Sequence, residues 1–274
     1  METGAQRRKQ PIFEEVTVKR FVSLLVFVAF ALGISSSAYA QTRITFLAPD
    51  PLKREVDEIV QNFEKKTGYK VQESYGTGVS SRKTVGEGGA LDVTLLFAPF
   101  DDALKTGNVD KSTQTVVARV RLAIAVKKGS PKPDISNAAA VKKMLLNAKS
   151  IGTVDPAQGS VGGAAMLAFE KMGITDQVKG KTKLYSGGGG PMNAVSKGEI
   201  DVAVGPYLSD YRNPPDGLDL VGALPPDAAT PVDITGWLST NVGDRKAAMA
   251  LLEYFKSPEA AAVWEKAKVF PATK

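Results

Sequence analysis

The order of strand-like and helix-like segments predicts an α/β protein of two lobes, each with a mainly parallel central sheet, joined by crossing strands. Three observations carry this. Apolar alternation and helical periodicity take turns along the chain. The same strand–helix grammar runs twice, before and after residues 115–126. No Gly/Ser-rich or Pro-rich linker separates the two runs, so the chain passes between lobes on strands, 115–126 outward and 231–238 returning.

The elements follow in order. Residues 43–48 alternate and read as a strand. Leu52, Val56, Ile59, Val60 and Phe63 mark one apolar helix face, opening near Pro51 and ending at Gly68. Residues 70–75 form the next strand, a short helix follows Val79, and the apolar run 92–97 suits a buried parallel strand. After the long β-rich stretch 115–126 come a helix at 137–148, a strand at 150–154 and a helix at 160–172. A strand at 183–185, a helix at 191–197 and a strand at 201–204 continue the pattern. Residues 212–226, rich in Pro and Gly, read as a surface loop system. A late strand at 232–238 precedes two helices, the last with Ser257 at the N-cap and Pro258 at N1. The expected division is 1–40 as a cleaved leader, 41–122 with 234–274 as one lobe, and 123–233 as the other.

The leader has its own signature. Lys19 and Arg20 precede the apolar run 21–34, and Ala38-Tyr39-Ala40 fits a signal-peptidase site. The run is shorter than the ~20 residues that span a bilayer. The mature chain is expected to begin at Gln41 and to reside in the periplasm. Glu14-Glu15 place acid beside the basic region, so translation is expected to start near Val18.

Composition narrows the chemistry. The 274 residues hold 35 Lys+Arg against 29 Asp+Glu, with no Cys and no His. The absence of Cys excludes disulfides, thiolate nucleophiles and iron–sulfur or thiolate zinc sites. The absence of His excludes a Ser-His-Asp triad and imidazole-based metal sites. The expectation is no cofactor and no direct metal site. Basic pairs such as Lys65-Lys66, Arg82-Lys83 and Lys142-Lys143 are scattered among acids and read as solvated faces, so no nucleic-acid partner is expected.

Three loops place small residues where a strand gives way to a helix: 75–81, 155–163 and 185–191. A helix N-terminus offers free backbone N–H groups at the positive end of its dipole, and glycine lets a ligand come close. Three such termini together would cradle an anion; singly, each reads as a turn and cap. Nucleotide and nucleophile motifs fail. Ser81 stands where GxGxxG needs its third glycine, 187–190 lacks the Lys-Ser/Thr of a P-loop, and Gln158 occupies a glycine position of the nucleophile elbow around Ser160. Asp50 ends the first strand, at the edge where open α/β sheets hold ligands. Two readings stand for it, ligand group or N-cap of the next helix. Tyr207 follows the strand ending at Val204, either as a hydroxyl in the crevice or as a half-buried anchor.

The residues 44–48, Tyr75-Gly76-Thr77-Gly78 with Asp92 following, Thr153-Val154-Asp155-Pro156 and 254–261 together resemble the periplasmic molybdate-binding proteins, the solute receptors of molybdate ABC transporters. The resemblance covers essentially all of 43–274. It implies a type II periplasmic binding fold closing on a small oxyanion, a permease complex as partner, and a monomer. Carried over by position, it implies ligand binding at Asp50, Thr77, Gly78, Ser160, Val161, Gly188, Gly189 and Tyr207. The chain departs from the family pattern at Asp50-Pro51, where Ala-Ser is usual, and at Thr77-Gly78, where Ser-Ser is usual. A carboxylate ~4 Å from a dianion costs about 4 kcal/mol at an effective dielectric of ~20. The departure leaves a second function open: a periplasmic isomerase or receptor for an organic polycarboxylate such as aconitate, with Asp50 as the proton-transferring base.

Overall fold

The computed structural model describes residues 43–272 apart from Ala90. The expected leader, its cleavage site and the start near Val18 lie outside the described residues. The described residues form one compact unit carrying two sheets.

The first sheet grows from the apolar alternation near the start of that unit. Strands β1 (Arg43–Pro49), β2 (Lys70–Gly76) and β3 (Val93–Phe97) run parallel in the order β2-β1-β3. Between them lie a 3-10 turn (Asp50–Leu52), helix α1 (Lys53–Thr67) and helix α2 (Gly78–Gly86). Helix α1 buries Val56, Ile59, Val60 and Phe63, the face marked by the sequence, and Gly68 caps its end. All five residues of β3 are buried because the strand lies inside the sheet. Asp92, just before β3, accepts from Thr45 N and Oγ1, both at 2.8 Å, and from Gly243 N at 3.0 Å. Burial alone would raise its pKa; the Gly243 and Thr45 hydrogen bonds outweigh that and hold it below the usual carboxylate range.

Antiparallel pairings extend each parallel trio, adding three strands to the first sheet and two to the second. The four-residue helix α3 (Asp101–Leu104) precedes β4 (Val109–Val120). The expected single β stretch at 115–126 is in fact two strands, β4 and β5 (Leu122–Lys127), in different sheets. The alternation of side chains runs on through Arg121 while the ladder partners change, so pattern alone does not mark the break. The second sheet follows with α4 (Ala138–Asn147), β6 (Ile151–Val154), α5 (Ser160–Lys171), the short α6 (Thr175–Lys179), β7 (Thr182–Tyr185), α7 (Gly189–Lys197) and β8 (Val202–Tyr207). Strands β7, β6 and β8 run parallel, and β5 is antiparallel to β8. Strand β8 continues three residues beyond Val204, so Tyr207 lies on the strand and pairs with Leu122. The Gly205-Pro206 pair reads as a breaker, yet it sits where the β5 register shifts, and the ladder survives it.

A second correction concerns 212–226. Within that loop system Leu218–Ala223 forms β9, an edge strand antiparallel to β5. Its Pro- and Gly-rich flanks masked six residues of strand. The chain then returns through β10 (Val232–Ser239), antiparallel to both β3 and β4. Helices α8 (Arg245–Tyr254) and α9 (Pro258–Lys266) pack back on the first sheet, and β11 (Phe270–Pro271) adds to the edge of β4. The finished sheets are mixed: parallel trios carry the βαβ units, and the crossing strands make the antiparallel pairs.

The crossings are tied together. Arg119 Nε pairs with Asp233 Oδ1 at 2.8 Å, and Arg121 Nη2 donates to the Leu224 carbonyl at 2.6 Å. At the C-terminal end the capping expectation holds. Ser257 accepts the Ala260 N–H at 3.2 Å, and Trp264, fully buried, donates to the Phe255 carbonyl. Ser257→Ala should lower unfolding stability by about 1 kcal/mol. Chemical denaturation tests this; an unchanged midpoint would show the cap idle.

Candidate functional site

Three helices begin where the sequence placed small residues, and two of them meet. Helix α2 opens at Gly78, which is buried. A Cβ there would stand 2.9 Å from Ser160 Oγ and 3.0 Å from Ser160 Cβ, so only glycine permits this approach of α2 to α5. Ser160 and Val161 open α5 and are both buried; the N-cap, Gly159, has no side chain to cap the helix. Ser160 Oγ accepts from the Tyr207 hydroxyl at 3.2 Å. Tyr207 is fully buried, its ring 5.2 Å from that of Phe97. Burial pushes its pKa upward, only partly offset by the Ser160 hydrogen bond, so the hydroxyl stays protonated as a donor.

Helix α7 opens on Gly188 and Gly189, again with no side-chain cap. Both glycines line a cavity of about 490 Å³ with Val161, Asp50 and Pro51. Val161, Gly188, Gly189 and Asp50 therefore share one cleft, and Gly78, Ser160 and Tyr207 share the contact that α5 makes beside it. Thr77 is set apart. It is exposed, and its hydroxyl accepts the Ser80 N–H at 3.1 Å as the cap of α2. The capping alternative for Asp50 fails. The 3-10 turn and α1 have Pro49 and Leu52 at their N-caps, with no side-chain cap bond, and Asp50 is exposed on the cleft.

Several charged groups here carry no motif. Arg82 of α2 is half-buried, donates to the Phe97 carbonyl at 3.5 Å and lies in the field of Tyr207; burial lowers its pKa. Asp210, in the 3-10 turn Leu208–Arg212, accepts the Tyr207 N–H at 3.0 Å. Burial pushes its carboxyl up to about 7, against the pull of that N–H and of Arg212. Arg212 pairs with Glu55 of α1, which is 1 % exposed. Burial raises the Glu55 pKa, with Arg212 opposing. This pair joins a helix packed on the first sheet to a turn that follows the second. The signal for it was an acid, Glu55, on the apolar face of α1 beside Val56. Among the described residues no group of three or more carboxylates is arranged to hold a metal ion.

The arrangement offers uncapped backbone donors to an anion in a cleft between two sheets, with the bonded Ser160–Tyr207 pair beside it. Residues 44–267 match the family of bacterial extracellular solute-binding proteins. An aconitate isomerase from a Pseudomonas species is 27% identical over 242 residues, 86% of this chain and 90% of that one. The molybdate-binding protein of Azotobacter vinelandii is 27% identical over 244 residues, 86% and 93% of the two chains. Among solved structures, a sulfate-binding protein from Mycobacterium tuberculosis superposes with a TM-score of 0.66 at 19% identity, covering 84% of this chain and 87% of that one. The last likeness is one of fold.

Proposed function

The chain belongs to the bacterial extracellular solute-binding proteins, and from that premise we propose that it captures a small oxyanion, molybdate or tungstate, for an ABC permease. The abutment of α2 on α5 at Gly78 and Ser160, with the Tyr207 hydroxyl bonded to Ser160, carries this reading. On it, Ser160 and Tyr207 supply hydroxyls, Val161, Gly188 and Gly189 supply backbone N–H groups, Gly78 lets α2 close on α5, and Thr77 caps α2. Charge-assisted hydrogen bonds contribute about 1.5–3 kcal/mol each. Five of them, less the cost of closure, support micromolar to nanomolar binding.

The mechanism is hinged closure. Residues 41–122 and 234–274 act as one lobe and 123–233 as the other, turning about Arg121 and the return segment 224–231. The protein works as a periplasmic monomer after cleavage behind Ala40. Titration calorimetry of the mature chain with molybdate, tungstate and sulfate tests the reading; a chain that binds none of them overturns it.

A second reading, an isomerase or receptor for an organic polycarboxylate such as aconitate, is favoured by Asp50. It is exposed on the cleft and makes no cap, which suits a group that moves a proton. Asp50→Ser separates the two. For an oxyanion receptor, molybdate affinity should stay level or rise by up to about fivefold, the worth of one exposed charge at about 1 kcal/mol. For an isomerase, aconitate should still bind while its turnover is lost. Calorimetry and a turnover assay on both proteins read the difference.

A further inference from the structure

The oxyanion reading uses only one edge of the 490 Å³ cavity. A tetrahedral oxyanion displaces roughly three waters, on the order of 100 Å³. The remaining walls divide by chemistry. Pro51, Val161 and Met192 are apolar; Ser209, Arg212 and Asn213 are polar. Ser209 is 2 % exposed, and its hydroxyl has no hydrogen-bond partner among the described residues. Buried hydroxyls are rarely left so, and Ser209 is one of the residues lining the cavity. Arg212 is held from two sides: its Nε donates to the Ser209 carbonyl at 3.1 Å, and its Nη1 meets Glu55. That leaves the two N–H groups of Nη2 for another acceptor.

We propose that this cavity is a second recognition compartment, in which Arg212 and Ser209 bind the distal carboxylate of an organic di- or tricarboxylate whose first carboxylate sits on the N-termini of α5 and α7. The proposal rests on the second reading above, an organic polycarboxylate ligand, and adds to it the groups that hold the far carboxylate. Asp50 and Asp210 also line the compartment. When ionised they repel any anion there, so a far carboxylate depends on Arg212 and Ser209 to hold it. A carbon chain lying on Pro51, Val161 and Met192 has apolar contacts that an oxyanion lacks, and it delivers its far carboxylate to a planar guanidinium.

Titration of propane-1,2,3-tricarboxylate and of molybdate into wild type, Ser209→Ala, Arg212→Gln and the double variant Glu55→Gln/Arg212→Gln tests it. The double variant replaces the ion pair with a neutral one, so no buried carboxylate is stranded. Expected is a loss of tricarboxylate affinity of 10-fold or more in both Arg212 variants and about 3- to 10-fold in Ser209→Ala, with molybdate within threefold. Equal losses for both ligands would make Arg212 a closure contact and overturn the proposal. Wild type that binds molybdate but no tricarboxylate overturns it and leaves anion capture standing. Wild type that binds neither ligand overturns both.

Discussion

Gly162→Ala should destabilise the protein by about 3 kcal/mol or more, whereas Gly163→Ala, one residue on, should stabilise it by about 0.5–1 kcal/mol. Both glycines lie in the first turn of α5. A Cβ on Gly162 would stand 2.6 Å from Pro156 N and 2.8 Å from Asp155 C, and would also press on the Val154 carbonyl. All three are backbone atoms at the end of β6 and in the loop that follows, so no side chain can rotate away. Overpacking typically costs 1–3 kcal/mol when side chains give, and more when they cannot. Gly163 meets nothing within 4 Å, so alanine there adds only its better helix propensity. The cheapest relief for Gly162→Ala is to shift the start of α5. That moves Ser160 off Tyr207 and Val161 off the cleft, so anion affinity should fall along with stability. Urea denaturation of the two variants gives the first comparison, and a Gly162→Ala midpoint equal to wild type would refute the close packing.

How much of this was legible beforehand depended on the range of the interaction. Elements driven by local pattern were readable. The apolar face of α1, the Ser257-Pro258 cap and the buried run that became β3 each follow from spacing within one segment. The two β corrections have a different source. The break at Arg121 and the strand at Leu218–Ala223 are set by which ladder a residue joins, and alternation is blind to that.

The site divides the same way. Small residues before helices announced the openings of α2, α5 and α7, since glycine tolerance and uncapped N–H groups are properties of the local chain. The abutment of Gly78 on Ser160 pairs residues 82 positions apart and became visible only with the fold. The same holds for Glu55 with Arg212, where only an acid on an apolar helix face hinted at a distant partner. Asp50 was placed correctly at the mouth of the first strand, but its choice between cap and cleft turned on geometry.

Asp210→Asn should remove a pH dependence of stability worth on the order of 4 kcal/mol. The ordinary carboxyl value is 3.8, and burial holds the folded one at about 7. Between those values the folded protein keeps a proton that the unfolded chain has released, so wild-type stability falls as pH rises through this window. The contribution is fully present below about pH 4 and gone above about pH 7, at 1.36 kcal/mol per unit. Asparagine still offers an oxygen to the Tyr207 N–H, which now donates to Asp210 at 3.0 Å, and has no charge to bury. The variant should match wild type near pH 4, exceed it increasingly up to about pH 7 and keep a constant margin above that. Glu55, whose carboxyl is also raised by burial, is present in both proteins, and its charge is the smallest of the causes acting on Asp210. There is a functional side. Above pH 7 the Asp210 charge sits next to Tyr207 and in the cleft wall, where it repels a bound anion. Molybdate affinity in wild type should therefore weaken from pH 6 to pH 8 more than in Asp210→Asn. Denaturation midpoints and calorimetric titrations across that range measure both effects, and parallel pH profiles for the two proteins would show that Asp210 is ionised throughout.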